Sequence, residues 1–235
     1  VYTWNTWGYG AMGGFSANRE SNLAAYKTGR LQEQIGILFK IFHNSPNAII
    51  CLQEVNEQDA GTRTAILNGL KALNVDCEYV EKTGKDLFGQ MTLYRKDRYK
   101  PVRAFKPTPN GYSSGVAMPF ISTADTRQNA RVLKVYFEEL TGKKRQLAVV
   151  NVHLAYNSPN ILGLLNELVT YSQGVSSPKP LAVITGDFND TISARYPSSG
   201  KVTVKQVGKS VIWNGTASST KQTANNVDGF IVVQP

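Results

Sequence analysis

Apolar residues recur along this chain with two spacings, one typical of helices and one typical of buried strands. The helical spacing of three or four positions is clearest at Leu31, Ile35, Leu38, Phe39 and Phe42. Similar spacing over 62–73 and 161–171 predicts two further helices. A continuous apolar run over 48–52 instead predicts a strand that is covered on both faces, and the largely apolar segments 146–154 and 181–185 predict two more strands.

Shorter strand-like segments separated by turns fill much of the remaining chain. They are expected at 1–7, 77–81, 90–95, 99–105, 116–121, 131–137, 211–213 and 227–233. Strands therefore outnumber helices, and no linker-like change of composition divides the chain. We expect one α+β domain over residues 1–235, with sheets in the middle and helices outside.

Several of the predicted strands end in polar side chains suited to metal binding or proton transfer. They are Asn5, Glu54, the pair Asn151 and His153, and the pair Asp187 and Asn189. The members of each pair lie two positions apart, so on an extended backbone they point to the same face. Phosphate hydrolysis needs carboxylates and amides that are held rigidly, and strand ends hold side chains in this way. We therefore expect these residues to form one convergent site.

Five short motifs follow one another in a fixed order along the chain. They are Trp-Asn-Thr-Trp at 4–7, Leu-Gln-Glu-Val at 52–55, Val-Asn-Val-His-Leu at 150–154, Gly-Asp-Phe-Asn at 186–189 and Val-Asp at 227–228. Together they resemble the endonuclease/exonuclease/phosphatase superfamily, the fold group of deoxyribonuclease I, over about residues 1–233. The resemblance implies two packed mixed β-sheets flanked by helices, a four-layer α/β/β/α sandwich.

The resemblance also implies a role for each strand-end residue. Glu54 would hold a divalent cation, and its carboxylate favours Mg²⁺, with Mn²⁺ or Ca²⁺ as alternatives. Asn5 would contact the metal site or the phosphate. Asp187 would orient or deprotonate the attacking water, and Asn189 would hydrogen-bond the phosphate. His153 would bind the scissile phosphate and protonate the leaving oxygen.

Three more residues are expected to bind substrate. Asn151 shares a strand face with His153. Tyr94 ends one predicted strand and Arg131 begins another, and family members place an aromatic or basic residue near the phosphate in these regions.

One motif of the family is absent from this sequence. Family members carry a final strand that opens with Ser-Asp-His, whose His is the general base and is oriented by the residue that matches Asp228. Besides His153, the chain contains only His43, which lies in the first predicted helix. We favour a truncated or processed chain, with the last strand supplied by a second chain or a C-terminal fragment. The alternative is a protein that lacks this strand.

The charge balance narrows the expected substrate. The net charge of +9 favours an acidic partner such as nucleic acid, an anionic membrane surface or a phosphorylated molecule. No apolar run reaches about 18 residues, so we expect no transmembrane segment. Together with the resemblance, this predicts a metal-dependent phosphodiesterase, first of all a nuclease acting on DNA or RNA. A catalytically impaired binding module and a sphingomyelinase or inositol-phosphate phosphatase stay open as alternatives.

Overall fold

The computed structural model describes residues 1–6, 29–55, 60–82, 89–102, 117–118, 120–129, 131–174, 179–206 and 228–235. The helices are α1 (Leu31–Asn44), α2 (Ala60–Ala72), α3 (Ile161–Gln173) and α4 (Ile192–Arg195). The strands are β1 (Tyr2–Asn5), β2 (Ile49–Val55), β3 (Cys77–Lys82), β4 (Gly89–Arg95), β5 (Tyr99–Val102), β6 (Ala117–Met118), β7 (Val132–Glu139), β8 (Gln146–His153), β9 (Leu181–Asp187), β10 (Val202–Gln206) and β11 (Asp228–Val233). A 3₁₀ turn, Thr126–Gln128, precedes β7.

The strands form two mixed sheets. The smaller sheet has the order β1-β2-β4-β3, and the larger has the order β10-β11-β9-β8-β7-β5, with β6 also paired to β7. In each sheet one pair of strands runs parallel, β1 with β2 and β8 with β9, and the other described pairs are antiparallel. The parallel pairs bring the carboxyl ends of β1, β2, β8 and β9 to the rims of their sheets.

Three apolar clusters separate four layers. Helices α1 and α2 pack on the outer face of the smaller sheet, with Leu38 and Ile66 in one cluster with Ile50. Helix α3 covers the larger sheet, with Leu165 in a second cluster with Val150. The inner faces of the sheets meet through a third cluster, formed by Ile49, Cys51, Tyr94, Leu133, Val135, Phe137 and Val149. The predicted α/β/β/α sandwich is therefore confirmed.

The sequence missed two elements, and one predicted strand is shorter than expected. Strand β10 pairs with β11 at the edge of the larger sheet, and its Thr203 and Lys205 are exposed. Because this segment is polar, its alternation of exposed and less exposed residues was not recognised as a strand pattern. Helix α4 is a single turn that was not predicted. The strand expected at 116–121 is described only as β6, and the one expected at 211–213 lies outside the described residues. No helix in the described part of the chain is long and apolar enough to cross a membrane.

Candidate active site

The carboxyl ends of four strands, two from each sheet, meet at one rim of the sandwich. The amide nitrogen Nδ2 of Asn5 donates to Oε1 of Glu54 at 3.1 Å and to Oδ2 of Asp187 at 2.9 Å. Nε2 of His153 lies 3.6 Å from the same oxygen of Glu54 and 4.0 Å from that of Asp187. The structure thus brings together four of the residues that the sequence singled out.

Glu54 reaches this rim because β2 is irregular there. Regular alternation places Ile50 and Leu52 against the helices and would send Glu54 the same way. The register with β4 shifts between Leu52 and Val55, and Glu54 has a positive φ of 53°. The bulge puts Val55 on the helix side and turns the Glu54 carboxylate toward Asn5. A strained backbone at a polar rim is typical of a functional site.

Asp187 and His153 lie side by side because β8 and β9 run parallel and pair these two residues at this end. The two residues are direct partners across the strands, and the Leu154 N–H donates to the Asp187 carbonyl at 2.8 Å. Gly186 precedes Asp187 with a φ of 143°, and a Cβ there would lie 1.9 Å from the carbonyl oxygen of Val152. Only glycine fits this approach, which explains the Gly-Asp pair in the sequence.

The rim concentrates negative charge in a poorly solvated place. Burial raises the pKa of Glu54, and the charge of Asp187 adds to that rise, while the Asn5 amide and the Arg30 charge oppose it. Asp228 is the partner of Asp187 in the antiparallel pair of β11 and β9. Burial, and then the charge of Asp187, raises the pKa of Asp228 to about 7. Crowded carboxylates of this kind are stabilised by a bound cation.

The donor set fits a cation that retains water. In the described part of the chain, no three side chains of His, Cys, Asp or Glu are grouped so that they could hold a metal ion. Glu54 and Asp187 instead offer two carboxylates, close enough to share one amide nitrogen of Asn5. Mg²⁺ is commonly held by one or two carboxylates and keeps several waters, so these residues suit it better than a metal that needs a complete protein cage.

His153 is buried at the floor of the site. Burial lowers its pKa, the negative charge of Asp187 raises it, and the positive charge of Arg131 lowers it again. The neutral imidazole is therefore favoured before a substrate binds. A phosphate oxygen beside the ring would raise the pKa of His153.

A cleft of about 690 Å³ opens over these residues, within the range of small-molecule sites. Arg131, which we expected to bind substrate, lines the cleft because β7 is antiparallel to β8 and therefore begins at the rim. Asn189 lines it too, with a positive φ of 49°; its N–H donates to Oδ1 of Asp187 at 2.8 Å and its Nδ2 to the Leu154 carbonyl at 2.7 Å.

Asn151 does not lie in the cleft, and its predicted substrate contact needs correction. Its side chain is fully buried between the sheets, where it donates to the carbonyls of Leu52 at 3.1 Å and Met91 at 3.3 Å. Its oxygen accepts a hydrogen bond from Nε2 of Gln53 at 2.8 Å. Asn151 and His153 do share a strand face, but the smaller sheet covers Asn151. Its role is to join the two sheets.

Tyr94 is also removed from the predicted site. It pairs with Ile49, at the end of β2 remote from Glu54, because β4 runs antiparallel to β2. Its ring packs against Phe137 with centroids 5.1 Å apart, and its hydroxyl donates to Glu78 at 3.3 Å. The beginning of β4 lies near the site instead, where Gln90 donates to the Arg131 carbonyl at 2.8 Å.

Two residues of the cleft were not found from the sequence. Arg127 lies in the 3₁₀ turn and Tyr156 in the loop that follows β8, and both line the cleft. Neither belongs to a motif. The available signal for Arg127 was the Asp125-x-Arg127 spacing, which is typical of a side chain that caps its own turn.

Comparison with known proteins identifies relatives of this fold. The model of the Endonuclease/Exonuclease/phosphatase family matches residues 2–214. A search of curated protein sequences gives no significant match. Among solved structures, TDP2 from D. rerio complexed with single strand DNA product has a TM-score of 0.59 and 14% identity, over 98% of this chain and 82% of that one.

Two other structures show the same fold. The endonuclease/exonuclease/phosphatase from Bacteroides vulgatus has a TM-score of 0.56 and 17% identity, over 86% of this chain and 79% of that one. TDP2 from C. elegans has a TM-score of 0.55 and 13% identity, over 88% of this chain and 61% of that one. The family match over most of the chain agrees with the order of the motifs and with the two mixed sheets. This chain therefore belongs to the endonuclease/exonuclease/phosphatase family.

Proposed function

We propose that this protein hydrolyses phosphodiester bonds of nucleic acid with the help of a divalent cation. The rim supports this most directly, because it brings together side chains from both sheets. Nε2 of His153 lies 3.6 Å from Oε1 of Glu54 and 4.0 Å from Oδ2 of Asp187. Both oxygens accept a hydrogen bond from the Asn5 amide. A cation held by two carboxylates, with an imidazole and an amide beside it, would suit a reaction in which negative charge develops on phosphoryl oxygens.

Each of these side chains has a distinct task in the proposal. Glu54, with Asn5 and Asp187 beside it, would hold Mg²⁺, which as a Lewis acid neutralises charge on the phosphate. Asp187 accepts a hydrogen bond from the attacking water and orients it. Asn189 donates to a phosphate oxygen. His153 donates a hydrogen bond to the phosphate and passes a proton to the leaving oxygen.

Nucleic acid is the preferred substrate for reasons of charge. The chain carries a net charge of +9, and Arg127 and Arg131 line the cleft next to the carboxylates. Cations placed around an acidic centre attract the neighbouring phosphates of a polymer, whose contacts position the backbone without reading bases. The similar TDP2 of D. rerio was solved with single strand DNA product, which is consistent with this choice.

A turnover panel with Mg²⁺, Mn²⁺ or Ca²⁺ and with EDTA tests the proposal. We expect hydrolysis of DNA or RNA oligonucleotides with metal and none in EDTA. Glu54→Gln should lose at least about 100-fold in kcat/KM, in line with the loss of an electrostatic contribution. His43→Ala serves as the control, because His43 is exposed at the end of α1 and stacks on Phe39 away from the rim.

The outcomes separate the alternatives. Undiminished hydrolysis in EDTA contradicts the proposal. Turnover of sphingomyelin or inositol phosphates but not of oligonucleotides would keep the metal chemistry and change the substrate. Oligonucleotide binding without turnover would favour the catalytically impaired binding module.

A further inference from the structure

Arg127 is held above the cleft by a carboxylate that is itself buried. The side chain of Asp125 is only 4% exposed, whereas that of Arg127 is 51% exposed. Oδ1 of Asp125 accepts from Nε of Arg127 at 2.9 Å and Oδ2 accepts from Nη2 at 2.7 Å. This bidentate pair fixes the plane of the guanidinium. Among the described contacts, Nη1 is left for a ligand.

The segment that carries Arg127 is anchored on several sides. Glu167 of α3 accepts hydrogen bonds from the Ser122 hydroxyl at 2.5 Å and from the Ala124 N–H at 3.1 Å. The Ser122 N–H donates to Asn129 at 2.7 Å, and Gln128 donates to Asp125 at 3.0 Å. An exposed ion pair adds little stability by itself, so this degree of support indicates positioning of the arginine.

The same segment also fixes the loop that carries Tyr156. The N–H of Ala155 donates to Oε1 of Gln128 at 2.8 Å, and Nη2 of Arg127 donates to the carbonyl of Asn157 at 3.1 Å. The backbone is therefore bound on both sides of Tyr156. Tyr156 is 61% exposed in the wall of the cleft, two residues beyond Leu154.

From this arrangement we infer that Arg127 and Tyr156 form a subsite for the nucleotide next to the scissile phosphate. Arg127 binds the neighbouring phosphate, and the ring of Tyr156 stacks on the adjacent base. The inference rests on the proposed function, because it places the scissile phosphate at the carboxylate rim. A guanidinium with a fixed plane suits phosphate, and an exposed aromatic ring is a stacking platform for a base that is not already stacked in a duplex.

The subsite therefore favours single-stranded nucleic acid over duplex and over small phosphate esters. Stacking needs an unpaired base, which a duplex does not present. An inositol phosphate or a lipid headgroup would contact the arginine but would have no base for Tyr156.

Binding of 5′-fluorescein-labelled decathymidylate in EDTA, followed by fluorescence anisotropy, tests the subsite without turnover. We expect Arg127→Ala and Tyr156→Ala each to raise Kd about 10-fold. Tyr156→Phe keeps the ring and should bind as the wild type does. In a turnover assay, the ratio of kcat/KM for the decanucleotide to that for a dinucleotide, which lacks the neighbouring phosphate, should fall by a similar factor in Arg127→Ala.

Arg95→Ala is the matched control. Arg95 makes the same type of bidentate pair, to Asp97 with two hydrogen bonds of 2.8 Å, but it lies at the end of β4 that pairs with Cys77, remote from the rim. Both variants remove one positive charge. Of these two arginine variants, a specific subsite predicts that only Arg127→Ala changes Kd by more than about twofold. A single charge far from the bound nucleic acid contributes little to its affinity.

The results distinguish this inference from the proposed function. Alanine variants that bind decathymidylate as tightly as the wild type overturn the subsite, even if hydrolysis is intact. An equal loss in Arg95→Ala, tighter binding of duplex than of single strand, or no binding by the wild type would also overturn it. If the variants weaken binding as expected but the wild type hydrolyses nothing with metal, the subsite stands and the proposed hydrolysis fails.

Discussion

Gly186→Ala tests the claim that the rim depends on the close approach of β8 and β9. A Cβ at residue 186 would lie 1.9 Å from the carbonyl oxygen of Val152, which is a backbone atom and has no rotamer to change. The φ of 143° is also rarely adopted by a residue with a side chain. Alanine therefore forces the strands to separate or residue 186 to adopt another φ.

The expected loss follows from these two effects. A side chain in a sparsely populated φ region costs about 1–3 kcal/mol. Separation of the strands by more than 1 Å would weaken neighbouring ladder hydrogen bonds, worth about 1 kcal/mol each. We expect the free energy of unfolding to fall by about 3 kcal/mol, a large part of the 5–15 kcal/mol that is typical of a domain. Asp187 follows residue 186 directly, so activity should fall with stability.

Urea unfolding followed by intrinsic fluorescence measures this change, with the slope of the free energy against urea checked for constancy. Gly36→Ala is the matched control. Gly36 lies inside α1, and a Cβ there would meet nothing within 4 Å. Alanine is the better helix former, so this variant should gain up to about 1 kcal/mol. A Gly186→Ala protein within about 0.5 kcal/mol of the wild type would refute the reasoning.

Two further predictions concern buried polar groups. Asn151→Ala should lower the free energy of unfolding by about 2–3 kcal/mol, because it removes the buried hydrogen bonds that Asn151 makes to the carbonyls of Leu52 and Met91 and to Nε2 of Gln53. Adding Gln53→Ala should cost less than the sum of the single changes in a double-mutant cycle. Lys134 is buried on β7, where its Nζ lies 2.5 Å from the carbonyl oxygen of Tyr171 and 3.9 Å from the centre of the Tyr171 ring. Burial lowers the pKa of Lys134 from 10.5 to about 7. The unfolded chain therefore binds the extra proton between these pH values, so this group makes stability rise with pH by at most about 1.4 kcal/mol per unit. The stability of the wild type minus that of Lys134→Met should increase from pH 7.5 to 9.5 in urea titrations, and a constant or falling difference would contradict the assignment.

Most of the helices and strands, and four of the residues at the rim, were predictable from the amino-acid sequence. Local spacing encodes which face of a helix or strand is buried, so α1 and the buried strands β2, β8 and β9 were predictable. Polar residues that follow an apolar strand must leave the core at its end, and Asn5, Glu54, His153 and Asp187 do so.

The direction and burial of individual side chains depend instead on contacts between distant parts of the chain. Alternation would point Glu54 toward the helices, and the bulge in β2 turns it to the rim. Spacing pairs Asn151 with His153, but only the position of the opposite sheet buries the first and leaves the second at the cleft. Strand direction placed Tyr94 at the remote end, since a strand end lies at the rim only if the neighbouring strands bring it there. Arg127 joins the site through contacts between segments that are distant in the chain, and no local pattern records such contacts.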